Sequence, residues 1–134
     1  MADKILLVED DPVNVKFIRV VLTKKGGFEV TVSEDVPEIL RIVREEKPVL
    51  VIMDVSLTRS TWEGQKVDGL FITRMLKADP ETAGVPVMLA TAHAMFGDRE
   101  RFMRETGAEG YLAKPIHDPD LFMYAVNQVI HKAP

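Results

Sequence analysis

The chain has no cysteine among its 134 residues, which excludes disulfides, thiolate metal sites and a cysteine nucleophile. Long hydrophobic runs are missing too. The longest span a handful of residues, against the roughly 20 that a membrane helix needs. The N-terminus, MADKILLVEDD, lacks the basic, then apolar, then small order of a signal peptide. A soluble cytoplasmic protein without membrane attachment is therefore the expectation. Basic clusters are also lacking: Lys24 and Lys25 form the sole adjacent pair, and the net charge is −4. That pattern offers no stripe for direct binding of nucleic acid.

What is present is ordinary in bulk and particular in detail. With 46% apolar and 28% charged residues, the composition is that of a globular protein of about one domain. There is no internal repeat and no low-complexity tract, so a single domain over 1–134 is expected. The natural-looking Met1 start favours a complete protein over an excised piece.

Short apolar runs alternate with helical patterns. Strands are expected at Lys4–Glu9, Phe28–Val32, Val49–Asp54, Pro86–Ala90 and Gly110–Ala113. VLVIMD and PVMLAT are nearly unbroken apolar runs, as suits strands covered on both faces. Asp11 can cap a first helix beginning at Pro12, with Phe17, Ile18, Val21 and Leu22 on one face and Gly26 as its C′ stop. A second helix places Val36, Ile39, Leu40 and Val43 on a stripe and ends before Pro48. The third runs from about Asp68 to Asp79, with Ile72, Met75 and Leu76 inward. The fourth carries Phe102 and Met103 and stops near Gly107, and the fifth starts at Asp118-Pro119. Five strands alternating with five helices imply an α/β fold, a parallel sheet covered by helices on both faces. One region breaks the rhythm, a polar loop over about 56–68 that holds the lone Trp62.

In such sheets ligands bind beyond the carboxyl ends of the strands. There the chain delivers Glu9 and Asp10, Asp54, Thr91 and Lys114. Taken singly, each has a structural explanation as a cap, a strand end or a surface charge. Taken together they form one edge. Crowded carboxylates are costly unless something offsets their repulsion. Three carboxylates without Cys or His make a hard-oxygen site suited to Mg2+ rather than zinc or copper. Lys114 and the Thr91 hydroxyl add groups that can hold a phosphoryl oxygen, and a carboxylate can itself accept the phosphoryl group.

The motifs ILLVEDDP, VLVIMD, VMLATAHA and GYLAKPI, in that order and at strand ends, resemble those of the receiver domains of bacterial two-component response regulators. The resemblance covers essentially the whole chain. It implies a doubly wound, flavodoxin-like sheet of strand order 2-1-3-4-5 with five helices. It implies that Asp54 takes a phosphoryl group from a histidine kinase or a His-containing phosphotransfer protein. Mg2+ would be held by Glu9 through a water, by Asp10 and Asp54, and by the backbone carbonyl of Ser56. Thr91, Ala92, Tyr111 and Lys114 would bind or report the phosphoryl group, beside a cis Lys114-Pro115 bond. Ser56 and His93 stand where the family tunes phosphate lifetime. The output face would be the fourth helix, fifth strand and fifth helix, where at least one of Phe122, Met123 and Tyr124 should point outward toward a downstream protein. The chain would be a regulatory phosphoacceptor rather than an enzyme, monomeric or a weak phosphorylation-dependent dimer. His117 and His131 carry no motif and are expected in solvent.

Two departures stand out. Leu57-Thr58 occupy the place where the family commonly has Met-Pro, and the loop before Asp68-Gly69 is longer than usual. Trp62 in that loop is either a partner contact or folded onto its own domain. Other functions on this fold fare worse. An FMN carrier needs a phosphate-cradling loop where EDDPVN is acidic. An aspartyl phosphatase needs a second acid to activate water, for which Glu9 would have to be released from the metal. A degenerate scaffold would have lost Asp54, Lys114 or the acidic pair.

Overall fold

A computed structural model of the chain describes residues 2–92, 95 and 97–132; His93 lies outside the described residues. The main sheet consists of β1 (Lys4–Val8), β2 (Glu29–Val32), β3 (Leu50–Asp54), β6 (Val87–Thr91) and β7 (Gly110–Ala113). A small hairpin, β4 (Thr61–Trp62) and β5 (Gln65–Lys66), stands apart from it. The sheet is parallel throughout, in the order β2-β1-β3-β6-β7. Counting its own strands alone, that is the expected 2-1-3-4-5.

Alternation along each strand divides the apolar residues between two cores. Leu6, Val8, Val51, Met53, Val87 and Leu89 face one side, where they meet Val36, Ile39 and Val43 of α2 (Val36–Glu46) and Ile72 and Leu76 of α3 (Gly69–Ala78). Ile5, Leu7, Leu50, Ile52, Met88 and Ala90 face the other, against Ile18, Val21 and Leu22 of α1 (Pro12–Lys24) and Phe122, Val126 and Val129 of α5 (Pro119–Lys132). Each of these side chains other than Ala90 contributes about 1.5–3 kcal/mol by leaving water. α4 (Asp98–Thr106) completes the set.

Caps fix the helix starts that flank the sheet edge. Asp11 accepts from the Val13 amide at 2.9 Å, Asp35 from Glu38 at 3.1 Å, and Asp68 from Phe71 at 2.9 Å. Asp118 does the same for Asp120 at 2.9 Å. Gly107 closes α4 with φ 78. Lys25 is the C-cap of the first helix, so Gly26 stands at C′ as expected, while the left-handed residue is the next one, Gly27, φ 68. Gly26 is needed for space, since a Cβ there would sit 2.6 Å from the Phe28 ring and 2.8 Å from Met123 Cε.

The 56–68 segment is more ordered than the polar loop expected of it. Glu63 (φ 51) and Gly64 (φ 80) form the two-residue turn of the β4–β5 hairpin, the left-handed pair that matches the twist of two strands. The Val67 amide donates to the Ser60 carbonyl at 3.0 Å and closes its base. Trp62 is half-buried against the α2–α3 core, so it folds onto its own domain.

Candidate functional site

β1 and β3 are neighbours, and the chain leaves them toward opposite ends of the sheet. Their carboxyl ends therefore bound the crevice where strand order reverses. Register places Val8 beside Met53 and Asp54 beside Ala90. The residues just past β1 thus lie against the last residue of β3. Glu9 is 3% exposed and Asp54 4%. Carboxylate oxygens of Glu9, Asp10 and Asp54 all lie within 4.8 Å of one another.

Lys114 enters from the end of β7, two strands away. Its Nζ donates to Glu9 Oε1 at 2.8 Å and to Asp54 Oδ1 at 3.3 Å, with only 7% of the side chain exposed. The Lys114 amide donates to the Thr91 carbonyl at 2.8 Å, which ties β7 to β6 at the same edge. The Lys114-Pro115 bond is cis. Thr91 is buried and Ala92 exposed. Ser56 donates its amide to Asp54 Oδ1 at 3.1 Å and so orients that carboxylate from behind.

The charges respond to this packing. Burial raises the Glu9 pKa and the charge of Asp54 adds to it, outweighing the bonds from Lys114 and the Asp11 amide. For Lys114, burial acts against the charged form, but Glu9 and Asp54 outweigh it and its pKa is raised. Asp10 moves the other way. Its burial is overcome by hydrogen bonds from the Thr58 amide and hydroxyl and by the nearby Arg59, and the pKa is lowered. Three carboxylates against one ammonium leave the cluster short of positive charge. With oxygen donors alone, it fits a hard divalent cation.

Tyr111 sits on β7, three residues before Lys114. Its hydroxyl is buried without a hydrogen-bond partner among the described residues. Burial, then the charge of Asp98, raises its pKa. On α5, Phe122 and Met123 are buried while Tyr124 is 64% exposed, so Tyr124 is the outward residue. His117 and His131 are exposed.

A model of the response regulator receiver domain matches residues 5–126. The chain belongs to this family. Among curated relatives, the polar-differentiation response regulator DivK of Brucella anthropi is 38% identical over 119 residues, 89% of each chain. DivK of Brucella ovis matches over the same length at the same identity. The receiver domain of the sensor histidine kinase PA1611 of Pseudomonas aeruginosa superposes with a TM-score of 0.80 at 30% identity. It covers 98% of this chain and 99% of its own, and its structure has a magnesium ion coordinated in the active site cleft. A CheY-like receiver from Methanospirillum hungatei, 20% identical with a TM-score of 0.79 over 99% and 97% of the two chains, shares the fold. The receiver is thus a phosphoacceptor switch of two-component signalling. Among the described residues no helix is long and apolar enough to cross a membrane.

The convergence of Glu9, Asp10, Asp54 and Lys114 was legible as a set of strand ends. Sequence reasoning missed the loop residues Thr58 and Arg59. Thr58 donates to Asp10 Oδ2, and Arg59 Nη2 donates to the Asp10 carbonyl at 3.2 Å. The available signal was the replacement of proline by a residue with two donors.

Proposed function

We propose that Asp54 accepts a phosphoryl group from the phosphohistidine of a kinase or phosphotransfer protein. A carboxylate oxygen of Asp54 attacks phosphorus, the P–N bond breaks as the P–O bond forms, and the imidazole leaves with the electron pair. The observation that carries this reading is the packing of three carboxylates within 4.8 Å beside a buried ammonium. Such a cluster is costly in isolation, and a bound cation offsets it and prepares the site for an anionic phosphoryl group.

Glu9, Asp10 and Asp54, with the Ser56 carbonyl, would hold the cation, Mg2+ by the donor set. When bound, Mg2+ offsets the carboxylate charge and takes a phosphoryl oxygen as ligand. Lys114 already touches Asp54 and is placed to pair with the incoming phosphoryl oxygens. The Ser56 amide keeps Asp54 from rotating. Thr91 and Tyr111 respond next, Thr91 toward the phosphoryl group and Tyr111 inward, and shift α4, β7 and α5 toward a conformation that a downstream protein binds. The exposed Leu121 and Tyr124 belong to that face. Ala92 adds its backbone to the phosphoryl pocket, and Ser56 and His93 set phosphate lifetime.

In this reading the chain is a regulatory phosphoacceptor of the cytoplasm rather than an enzyme acting on a separate substrate. Its own chemistry is phosphorylation of Asp54 and loss of that phosphate. Glu9 is engaged by Lys114 and the Asp11 amide, which leaves it poorly placed to activate water as a phosphatase acid would. Intact mass after incubation with acetyl phosphate tests the proposal. One Mg2+-dependent phosphoryl adduct is expected, absent in Asp54→Asn. An adduct that survives in Asp54→Asn would refute the assignment.

A further inference from the structure

Thr58 stands where a proline is common in the family, and proline has neither an amide N–H nor a hydroxyl to donate. Here both donors are used on one atom. The Thr58 amide donates to Asp10 Oδ2 at 2.9 Å and the Thr58 hydroxyl to the same oxygen at 2.8 Å. The next two residues extend the attachment. Arg59 Nη2 donates to the Asp10 carbonyl at 3.2 Å and to Glu34 Oε2 at 3.0 Å, while its Nε meets Glu34 Oε1 at 2.9 Å. The Ser60 hydroxyl, 3% exposed, donates to the Glu34 carbonyl at 2.7 Å.

Three consecutive residues thus stitch the exit of β3 to the segments that follow β1 and β2. The stitch has a firm base. Leu57 is buried in the α2–α3 core, and the Val67–Ser60 bond closes the hairpin beyond. Asp10 itself is only partly buried. Without Thr58 its carboxylate could turn in solvent and would lose that freedom on meeting a cation.

We propose that Thr58 is a positioning residue for the cation site, holding Asp10 Oδ2 so that Oδ1 remains for the metal, and that it thereby sets how tightly Mg2+ binds. This rests on the reading of Glu9, Asp10 and Asp54 as the metal ligands. Partners that orient a metal-ligating carboxylate are worth about 10–100-fold in affinity. Because the hold comes from the side chain and backbone of one exposed residue, it can be altered without touching the core.

The experiment is a calorimetric titration of the full chain with Mg2+, for wild type, Thr58→Ala, Thr58→Ser and Asp10→Asn, with melting temperatures measured without metal. Thr58→Ala keeps the amide and loses the hydroxyl, and Thr58→Ser keeps both donors. Mg2+ affinity is expected to fall about tenfold in Thr58→Ala and to stay within roughly twofold of wild type in Thr58→Ser, with cooperative metal-free melting in both showing that the fold is kept and a slightly lower melting temperature in Thr58→Ala from the lost bond to Asp10. An unchanged or tighter Kd in Thr58→Ala would overturn the proposal, as would equal weakening in Thr58→Ser. Wild type that binds no Mg2+, or binds it as well after Asp10→Asn, would refute the ligand assignment itself and remove the role of Thr58 with it.

Discussion

Lys114 is, among the described residues, the cation in contact with both buried carboxylates of the site, and its removal is a quantitative test of how the acids are tolerated. Lys114→Met keeps the unbranched stem, removes the terminal ammonium and so deletes the charge. Without a divalent cation, Glu9 and Asp54 then face each other at 3% and 4% exposure. Removing one partner of a buried ion pair costs about 3–5 kcal/mol when the other must stay charged. Glu9 has an escape. Burial and Asp54 already raise its pKa against the pull of Lys114. With that pull gone, it takes up a proton in the folded state.

Protonation caps the part of the loss that Glu9 carries. From the ordinary value of 4.5, holding a proton costs about 1.36 kcal/mol per pH unit, so the ceiling is about 3.4 kcal/mol at about pH 7 and about 1.4 kcal/mol at about pH 5.5. Urea unfolding of wild type and Lys114→Met in EDTA, at both pH values, measures it. The destabilisation is expected to be about 2–3.5 kcal/mol at the higher pH and to shrink by roughly 2 kcal/mol at the lower. A loss of equal size at both would show that Glu9 does not carry the lost interaction. A loss below about 0.5 kcal/mol at the higher pH would show that the pair is solvated like a surface bridge.

Three other perturbations test the frame around the site. A Cβ at Gly69 would overlap the Asp54 carbonyl oxygen and come within 2.9 Å of Met53 Cγ. Gly69→Ala is therefore expected to cost about 3 kcal/mol by thermal or urea unfolding and to slow labelling of Asp54 by acetyl phosphate. Glu63 holds φ 51 in the hairpin turn, a conformation that asparagine tolerates better, so Glu63→Asn should stabilise the chain by about 0.5–1 kcal/mol in urea unfolding. The pKa of Lys114 is raised from 10.5. Its stabilisation is thus fully present below 10.5 and lost as pH climbs through the higher folded value. Wild type in EDTA should weaken more steeply above that point than Lys114→Met does.

The parts legible in the sequence are those written in one segment. Glu9 and Asp54 each end a run of apolar residues, so a polar group at the end of a buried strand announced itself. Asp11 and Asp118, each read from the Asp-Pro pair at a helix start, cap their helices in the structure, and Asp35 and Asp68 do the same. The hairpin was not legible, because β4 and β5 are two residues each and Thr61, Gln65 and Lys66 are all exposed. No alternation can register over so short a span, and Gly64 was its one token. The hold of Thr58 on Asp10 joins positions 48 residues apart, and it becomes visible only when β1 and β3 are neighbours. Gly26 stands at the C′ position that its place in the sequence suggested, but the need for glycine there is one of space, set by the Phe28 ring and by Met123 on a distant helix, and that is not legible locally.

The acids that crowd the end of β1 are tolerated unequally, and that inequality is what suits them to the role proposed. Glu9 and Asp54 share the ammonium of Lys114, yet the Glu9 pKa is still raised, so one cation does not settle two buried carboxylates. Asp10 lies nearer solvent and is stabilised as an anion by Thr58 and Arg59. The cluster is therefore under-compensated, with three carboxylates against one ammonium. A fully neutralised site would gain little from a divalent cation, and one lacking Lys114 would leave the bound cation alone to oppose the roughly two negative charges of an incoming phosphoryl group. Lys114 is bound to the carboxylates it would exchange for that group. In the proposed reading, phosphorylation of Asp54 would draw the ammonium away from Glu9 toward the new oxygens, at the end of β7 on the strand that carries Tyr111. That one side chain would then link the charge imbalance at the crevice to the response at the output face.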